Sequence, residues 1–180
     1  MASLPETCLG RSALCRDSGQ AEGMTRPALV VRTANPGDVQ PVLDVHAEQG
    51  SRPDQTASAV EIETWHRMMA TPDLSVYVAE LDGAVVGTAT TVLMPNVTYK
   101  CAPTLFIEAV VVRPAYRRRG VASAILRKVL DDGRAAGCDK VQLLSHKRHA
   151  SDGAHRLYIS IGFAAEAEGF RLYLQAPAVV

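Results

Sequence analysis

Residues 110–122, Val110-Val111-Val112-Arg113-Pro114-Ala115-Tyr116-Arg117-Arg118-Arg119-Gly120-Val121-Ala122, carry a β-branched run into a basic turn with one glycine and straight on into a helix. Three consecutive valines favour extended backbone. Pro114 has no N–H to give to a central ladder and so ends the strand, and the helical pattern begins at Val121, directly after Gly120. A helix start leaves several N–H groups unpaired and carries partial positive charge, so it can hold a phosphate. Gly120 has no side chain and lets a pyrophosphate approach the backbone. The spacing is that of neither common nucleotide loop, for the stretch holds no GxxxxGK and no GxGxxG. An anion cradle is one reading of this stretch; an arginine-rich helix start with a solvated basic face is the other.

Working outward, residues 104–112 form the strand that enters the turn, and residues 121–136 form the helix that leaves it. Upstream, strands are expected over residues 28–33, 75–81 and 84–93, the last two joined by Asp82-Gly83, the dipeptide that best signals a tight hairpin. Asn35-Pro36-Gly37-Asp38 is a turn whose Asp38 is suited to cap a helix from Val39 to about Glu48, and a second helix is expected over residues 59–70. Downstream come a short strand at residues 140–145, a helix at 153–161, and two terminal strands near Phe163 and at residues 170–174. Helices that connect strands imply crossovers and a layered α/β domain. The expected architecture is a mixed, mostly antiparallel sheet of six to seven strands with helices on both faces.

The chain has 180 residues, 47% of them hydrophobic, and a formal net charge of zero, which suits one domain with a sizeable core. Residues 25–180 read as that domain, and residues 1–24, which lack sustained periodicity, as a disordered extension. Neutral charge balance argues against nucleic-acid binding; the basic run from Arg113 to Arg119 suits one polyanionic ligand better than a duplex. No apolar run reaches the roughly 18 residues that span a bilayer, and the amino terminus lacks a signal-peptide core, so no membrane association and a cytoplasmic location are expected. Cys8, Cys15, Cys101 and Cys138 show no paired spacing, and no metal site is expected from them or from His146, His149 and His155.

The cradle is similar to the acyl-CoA-binding motif of the GNAT superfamily of N-acyltransferases: Gln or Arg, two free places, Gly, one free place, then Gly or Ala. Arg117, Gly120 and Ala122 fill the defined places. A second stretch, Ala154-His155-Arg156-Leu157-Tyr158-Ile159-Ser160-Ile161-Gly162-Phe163, resembles the helix-to-strand corner of the same superfamily. Ala154, Leu157, Tyr158 and Ile161 lie three and four apart and share one helical face, with Gly162 ending the helix. The resemblance implies the GNAT fold and acetyl transfer from acetyl-CoA to an amine. It places acetyl-CoA on Val110, Val111 and Val112, on Arg117, Arg118, Arg119, Gly120, Val121, Ala122 and Ser123, and further along on Ser151 and Arg156. Ser151 stands where many relatives carry an asparagine that contacts the pantetheine arm.

Direct transfer needs a neutral amine, a donor for the oxyanion and a proton for the leaving thiolate. Glu108 interrupts the apolar strand Leu105-Phe106-Ile107-Glu108-Ala109-Val110 and is the candidate proton acceptor. Its parity with Val110 and Val112 puts it on a covered face, where a carboxylate is costly unless used; the alternative is a residue facing water. The resemblance makes Tyr158 the general acid for the sulfur, since a phenol with an ordinary pKa of about 10 is protonated at neutral pH; packing alone would equally explain a core tyrosine. The same resemblance makes the Val112 N–H the oxyanion and pantetheine contact.

Residues 107–112 also resemble the I-E-D-V-V-V strand of glucosamine-6-phosphate N-acetyltransferases, with Ala109 in place of the aspartate. Lys147-Arg148-His149 before Ala154-His155-Arg156-Leu157-Tyr158 is similar to aminoalkylphosphonate N-acetyltransferases, and Lys147 and Arg148 suit an anionic group on the acceptor or on CoA. Residues 49–55 and Trp65 lie where the superfamily covers the acceptor, with packing the plainer reading of Trp65. The leading expectation is a small-molecule amine acceptor, against a protein or peptide amino group or a non-catalytic acyl-CoA sensor. Homodimers are common in the superfamily.

Overall fold

The computed structural model describes residues 28–151, 153–172 and 174. The extension expected over residues 1–24 lies outside them. In chain order the elements are β1 (Leu29–Thr33), α1 (Val39–Ala47), α2 (Ala59–Ala70), β2 (Leu74–Leu81), β3 (Ala84–Met94), β4 (Thr104–Val112), α3 (Val121–Ala135), β5 (Lys140–Leu143) and α4 (Ala154–Ile161). The strands form one sheet in the order β1-β2-β3-β4-β5. The first three pairings are antiparallel, and β4–β5, bridged by α3, is parallel.

Alternation along β2 explains the layers. Val76 and Val78 point into a cluster with Val42, Val45 and Trp65 of α1 and α2. Tyr77 and Ala79 point the other way, into a cluster with Val121, Ile125, Leu126 and Val129 of α3. A strand covered on both faces carries apolar residues at both parities, as β2 does. The hairpin turn at Asp82 and Gly83 takes φ of 52° and 78°, left-handed at both central positions as the right-handed strand twist requires. Trp65, 5% exposed, is a packing residue of the α1/α2 layer.

Two expectations are corrected. Five strands form the sheet of the described residues, where six to seven were expected: neither Phe163 nor residues 170–172 enter a strand. Between them runs Ala164-Ala165-Glu166-Ala167-Glu168-Gly169, poor in the β-branched and aromatic residues that suit a pleated surface, and Phe170 and Leu172 are left 89% and 83% exposed. Asp38 does not cap α1 with its side chain. Its carboxylate instead accepts from the Asn35 N–H in a reciprocal capping box around the short turn Pro36–Asp38 and pairs with Arg32, which also reaches Glu80. The Arg32 guanidinium holds the Asp38 carboxyl below the usual carboxylate range. Among the described residues no helix is long and apolar enough to cross a membrane.

Candidate active site

The basic turn begins where β4 ends. Pro114–Tyr116 makes one tight helical turn, Arg118 and Gly120 adopt φ of 58° and 85°, and α3 starts with Gly120 as its left-handed cap, with no side-chain cap bond. The first bond of the helix runs from the Ala124 N–H to the Gly120 carbonyl at 2.9 Å. The N–H groups of Val121, Ala122 and Ser123 therefore have no intrahelical partner and open toward the turn. Arg117, Arg118, Arg119 and Gly120 are exposed, while Val121, 3% exposed, anchors the helix in the core. Arg119 lies 5.4 Å from the centre of the Tyr116 ring, so one basic side chain is seated on an aromatic face.

Gly87 of β3 sets how close α3 comes to the sheet. A Cβ there would lie 2.9 Å from Val121 Cγ1 and 3.1 Å from the Val111 carbonyl oxygen. A glycine inside a strand is the signal for such an approach, and sequence reasoning passed over it.

Strand β4 changes character halfway. Thr104–Ile107 pair with β5, and the pairing stops there, although β4 runs on to Val112. On the other side Thr90 opposes Glu108 and Thr88 opposes Val111, so Ala109 and Val110 together face the single residue Ala89. This is a β-bulge, and Ala109 takes the left-handed φ of 52° that it needs. The bulge reverses side-chain parity. Leu105 and Ile107 pack on the α3 side, and so do Val110 and Val112, whereas Val111 packs in the α1/α2 layer. Glu108, alternating with Ile107, is thus directed to the α1/α2 side, and it is exposed. The covered position expected from parity with Val110 and Val112 is overturned by one extra residue.

Val112 ends the strand at a position opposite Gly87, while the next N–H, of Arg113, bonds the Val86 carbonyl at 2.9 Å. In an antiparallel ladder that alternation turns the N–H and carbonyl of Val112 away from β3, toward the side that β5 has vacated. The Val112 carbonyl accepts from Gln49 Nε2 at 2.9 Å and from Arg117 Nε at 3.4 Å. On the α1 side, Asp44, Ala47, Glu48, Asp54 and Arg113 line an open cleft of about 360 Å³. Arg113 crosses it to pair with Glu48 at 2.5 Å.

Tyr158 sits on α4 with Leu157 and Ile161, packed against the α3 core, its ring edge-on to Phe163 at 6.0 Å between centroids. Gly162 ends α4 with φ of 108°, as its place in the sequence requires. Glu108 and Tyr158 therefore address opposite faces of the sheet, and the opening between β4 and β5 lies between those faces. Ser151 and Arg156 are exposed around the start of α4. His146 and His149 pack edge to face at 6.5 Å, and among the described residues no group of three His, Cys, Asp or Glu side chains converges as metal ligands would.

Residues 39–163 match the profile of the acetyltransferase (GNAT) family, from the start of α1 to the Phe163 corner. The chain belongs to the GNAT acetyltransferase family. It is 34% identical over 92 residues to glucosamine 6-phosphate N-acetyltransferase of Trypanosoma brucei brucei, a stretch covering 51% of this chain and 59% of that protein. The chain thus spans under two thirds of that relative's length. A solved structure from Agrobacterium tumefaciens str. C58, whose own acetyltransferase assignment is provisional, superposes with a TM-score of 0.74 at 32% identity, over 80% of this chain and 99% of that one. An aminoglycoside N-acetyltransferase solved in complex with CoA shares the fold, with a TM-score of 0.66 at 19% identity over 83% of this chain and 95% of its own.

In this GNAT domain the structure brings the sequence-expected residues Val110, Val111, Val112, Arg117, Arg118, Arg119, Gly120, Val121, Ala122 and Ser123 together around the end of β4 and the start of α3. Sequence reasoning missed Gly87 and Glu48, and it named Arg113 only as the start of the basic run. Gln49 was singled out only as one of a run near the acceptor. Their partners lie 65 and 68 residues away for Glu48–Arg113 and Gln49–Arg117, and no local pattern announces such pairs.

Proposed function

We propose that this GNAT domain transfers an acetyl group from acetyl-CoA directly to the primary amine of a small molecule. The observation that carries the reading is the free end of β4: past the bulge it has lost its β5 neighbour and meets the uncapped start of α3. Pyrophosphate suits the N–H groups of residues 118–123, with Arg118 and Arg119 to neutralise it. The pantetheine arm then runs along the vacated edge of β4 to the Val112 N–H, with Ser151 and Arg156 at its flank. These positions put the thioester in the opening between β4 and β5, reachable by Glu108 from one face and by Tyr158 from the other.

In this scheme Glu108, directly or through a water, takes the proton from the ammonium form of the acceptor. The amine lone pair forms the C–N bond at the thioester carbonyl. The Val112 N–H donates to the resulting oxyanion, collapse breaks the C–S bond, and the Tyr158 hydroxyl protonates the departing sulfur while the nitrogen loses its second proton to solvent. Exposure of Glu108 is no obstacle, since a base that must give up its acquired proton each turnover needs a route to water.

The cleft beside α1 supports a small acceptor. Its volume of about 360 Å³ falls at the lower end of small-ligand pockets, and Asp44, Glu48 and Asp54 against the single Arg113 favour an acceptor with more than one positive charge. Calorimetric titration with acetyl-CoA, followed by thiol release over polyamines, aminoglycosides, amino sugars, aminophosphonates and short peptides, tests the scheme. Binding with release from cationic small amines supports it; release only from peptides moves the acceptor class; no binding removes the reading.

A further inference from the structure

We propose that Gln49 is a positioning residue that ties the acceptor-side helix α1 to the cradle, and that Arg117 acts through Gln49 as a strut instead of as a charge for the phosphates. The inference rests on the acetyl-CoA reading given above.

The Gln49 backbone is itself held. Its N–H donates to the His46 carbonyl at 3.1 Å, and Gly50 closes the turn onto Ala47 at 2.8 Å. From that fixed point its carboxamide spends both of its ends: Nε2 donates to the Val112 carbonyl at 2.9 Å, and Oε1 accepts from Arg117 Nη2 at 2.5 Å. Arg117 Nε completes a triangle at the same carbonyl, at 3.4 Å. The peptide between Val112 and Arg113 is thereby pinned at both ends, its oxygen by Gln49 and Arg117 and its N–H by Val86. That peptide is where β4 leaves the sheet and it adjoins the one that carries the Val112 N–H, so holding it steadies the Val112 backbone and sets the path of the turn that follows.

The guanidinium of Arg117 is consequently drawn back against β4. A fork with two donors committed to neutral oxygens is used for its shape, and a lysine cannot reproduce it. If Arg117 served the phosphates through its charge, a lysine would serve nearly as well. Glu48 makes a parallel tie to Arg113, so two adjacent residues at the end of α1 grip the two arginines that bracket Pro114–Tyr116.

Acetyl-CoA affinity, by calorimetry on the full chain, is compared for wild type, Gln49→Met, Arg117→Lys and the double variant, with thermal midpoints recorded for each. Gln49→Met keeps the length and removes both hydrogen bonds; if it does not fold, Gln49→Ala takes its place in the cycle. The expected result is a loss of roughly tenfold in each single variant, the double no weaker than the worse single, and thermal midpoints near wild type. Wild-type affinity in Arg117→Lys, or losses that multiply in the double, would overturn the strut while leaving the cradle intact. Wild type that binds no acetyl-CoA overturns the cradle itself, and the strut with it.

Discussion

The two ends of α3 meet the sheet in opposite ways. At its C-terminal end the helix is latched: the Tyr77 hydroxyl donates to Asp132 Oδ2 at 2.8 Å, Lys128 reaches both oxygens of the same carboxylate at 2.5 and 2.7 Å, and β4 is flanked there by β3 and β5. Burial pushes the Asp132 carboxyl up, but Lys128 and Tyr77 outweigh it and hold it below the ordinary carboxylate range. Burial, reinforced by Asp132, drives the Tyr77 phenol well above its ordinary value. At the N-terminal end the same helix is uncapped, its arginines are exposed, and β4 has one neighbour. One helix and one strand thus supply scaffold at one end and the proposed binding surface at the other. The difference comes from a bulge and from where β5 stops, more than from any change in residue type.

The sharpest way to break this contrast is to fill the open end. Gly120→Glu puts a side chain on a backbone held at φ 85° and a carboxylate where phosphate is proposed, and should weaken acetyl-CoA binding by at least about a hundredfold; calorimetry with unchanged affinity would remove the cradle. Next in size, Glu108→Gln should lower kcat by about a hundredfold, most steeply toward low pH where the amine is hardest to deprotonate, and a loss constant across the pH–rate profile would count against a proton acceptor. Tyr158→Phe should lower kcat on the order of tenfold with acetyl-CoA affinity kept, because a thiolate leaves tolerably without help; full turnover would give the proton to water.

The closed end should answer differently. Tyr77→Phe removes the hydrogen bond to Asp132 and should cost about 1 kcal/mol of stability in denaturant melts, with kcat/KM for acetyl-CoA unchanged. A kinetic loss there would mean that the two ends are coupled through α3. The smallest effect concerns His46 of α1, whose pKa is lowered by burial and by nearby Arg52. Because the folded state holds it neutral, the unfolded chain binds the proton more readily. The stability His46 contributes is therefore present above its unfolded pKa of about 6.5 and is lost as pH falls below it. The thermal midpoint should drop between pH 7.5 and 5.5, and His46→Gln should flatten that drop.

Much of this was legible in the sequence, for reasons that separate local from distant effects. The valine run and Pro114 place the end of β4 to the residue, Asp82-Gly83 gives the hairpin, and Gly120 and Gly162 mark the helix start and end where left-handed backbone is needed. The bulge was not legible. An extra residue such as Ala109 leaves the apolar pattern continuous, so the parity rule carried Glu108 to the wrong face. The terminal strands failed for a related cause: Phe170 and Leu172 alternate as a strand would, but alternation does not supply an edge to pair with. Gln49 was legible only as one of residues 49–55, and its ties and that of Glu48 only from the fold, since their partners lie at and just past the end of β4.

The strand order of the sheet is also the order of synthesis. Each strand is laid beside the one made before it, with no later strand needed to fill a gap. A nascent chain that has reached Met94 already holds β1, β2 and β3 together with both helices of the α1/α2 layer; the β2–β3 hairpin is local enough to form early, whereas β1 joins β2 across both helices. It has no β4 bulge and no α3, and so none of the proposed cradle. In the proposed scheme ligand binding can therefore stabilise only the later stage of assembly, once α3 has covered the open face of β2 and β3.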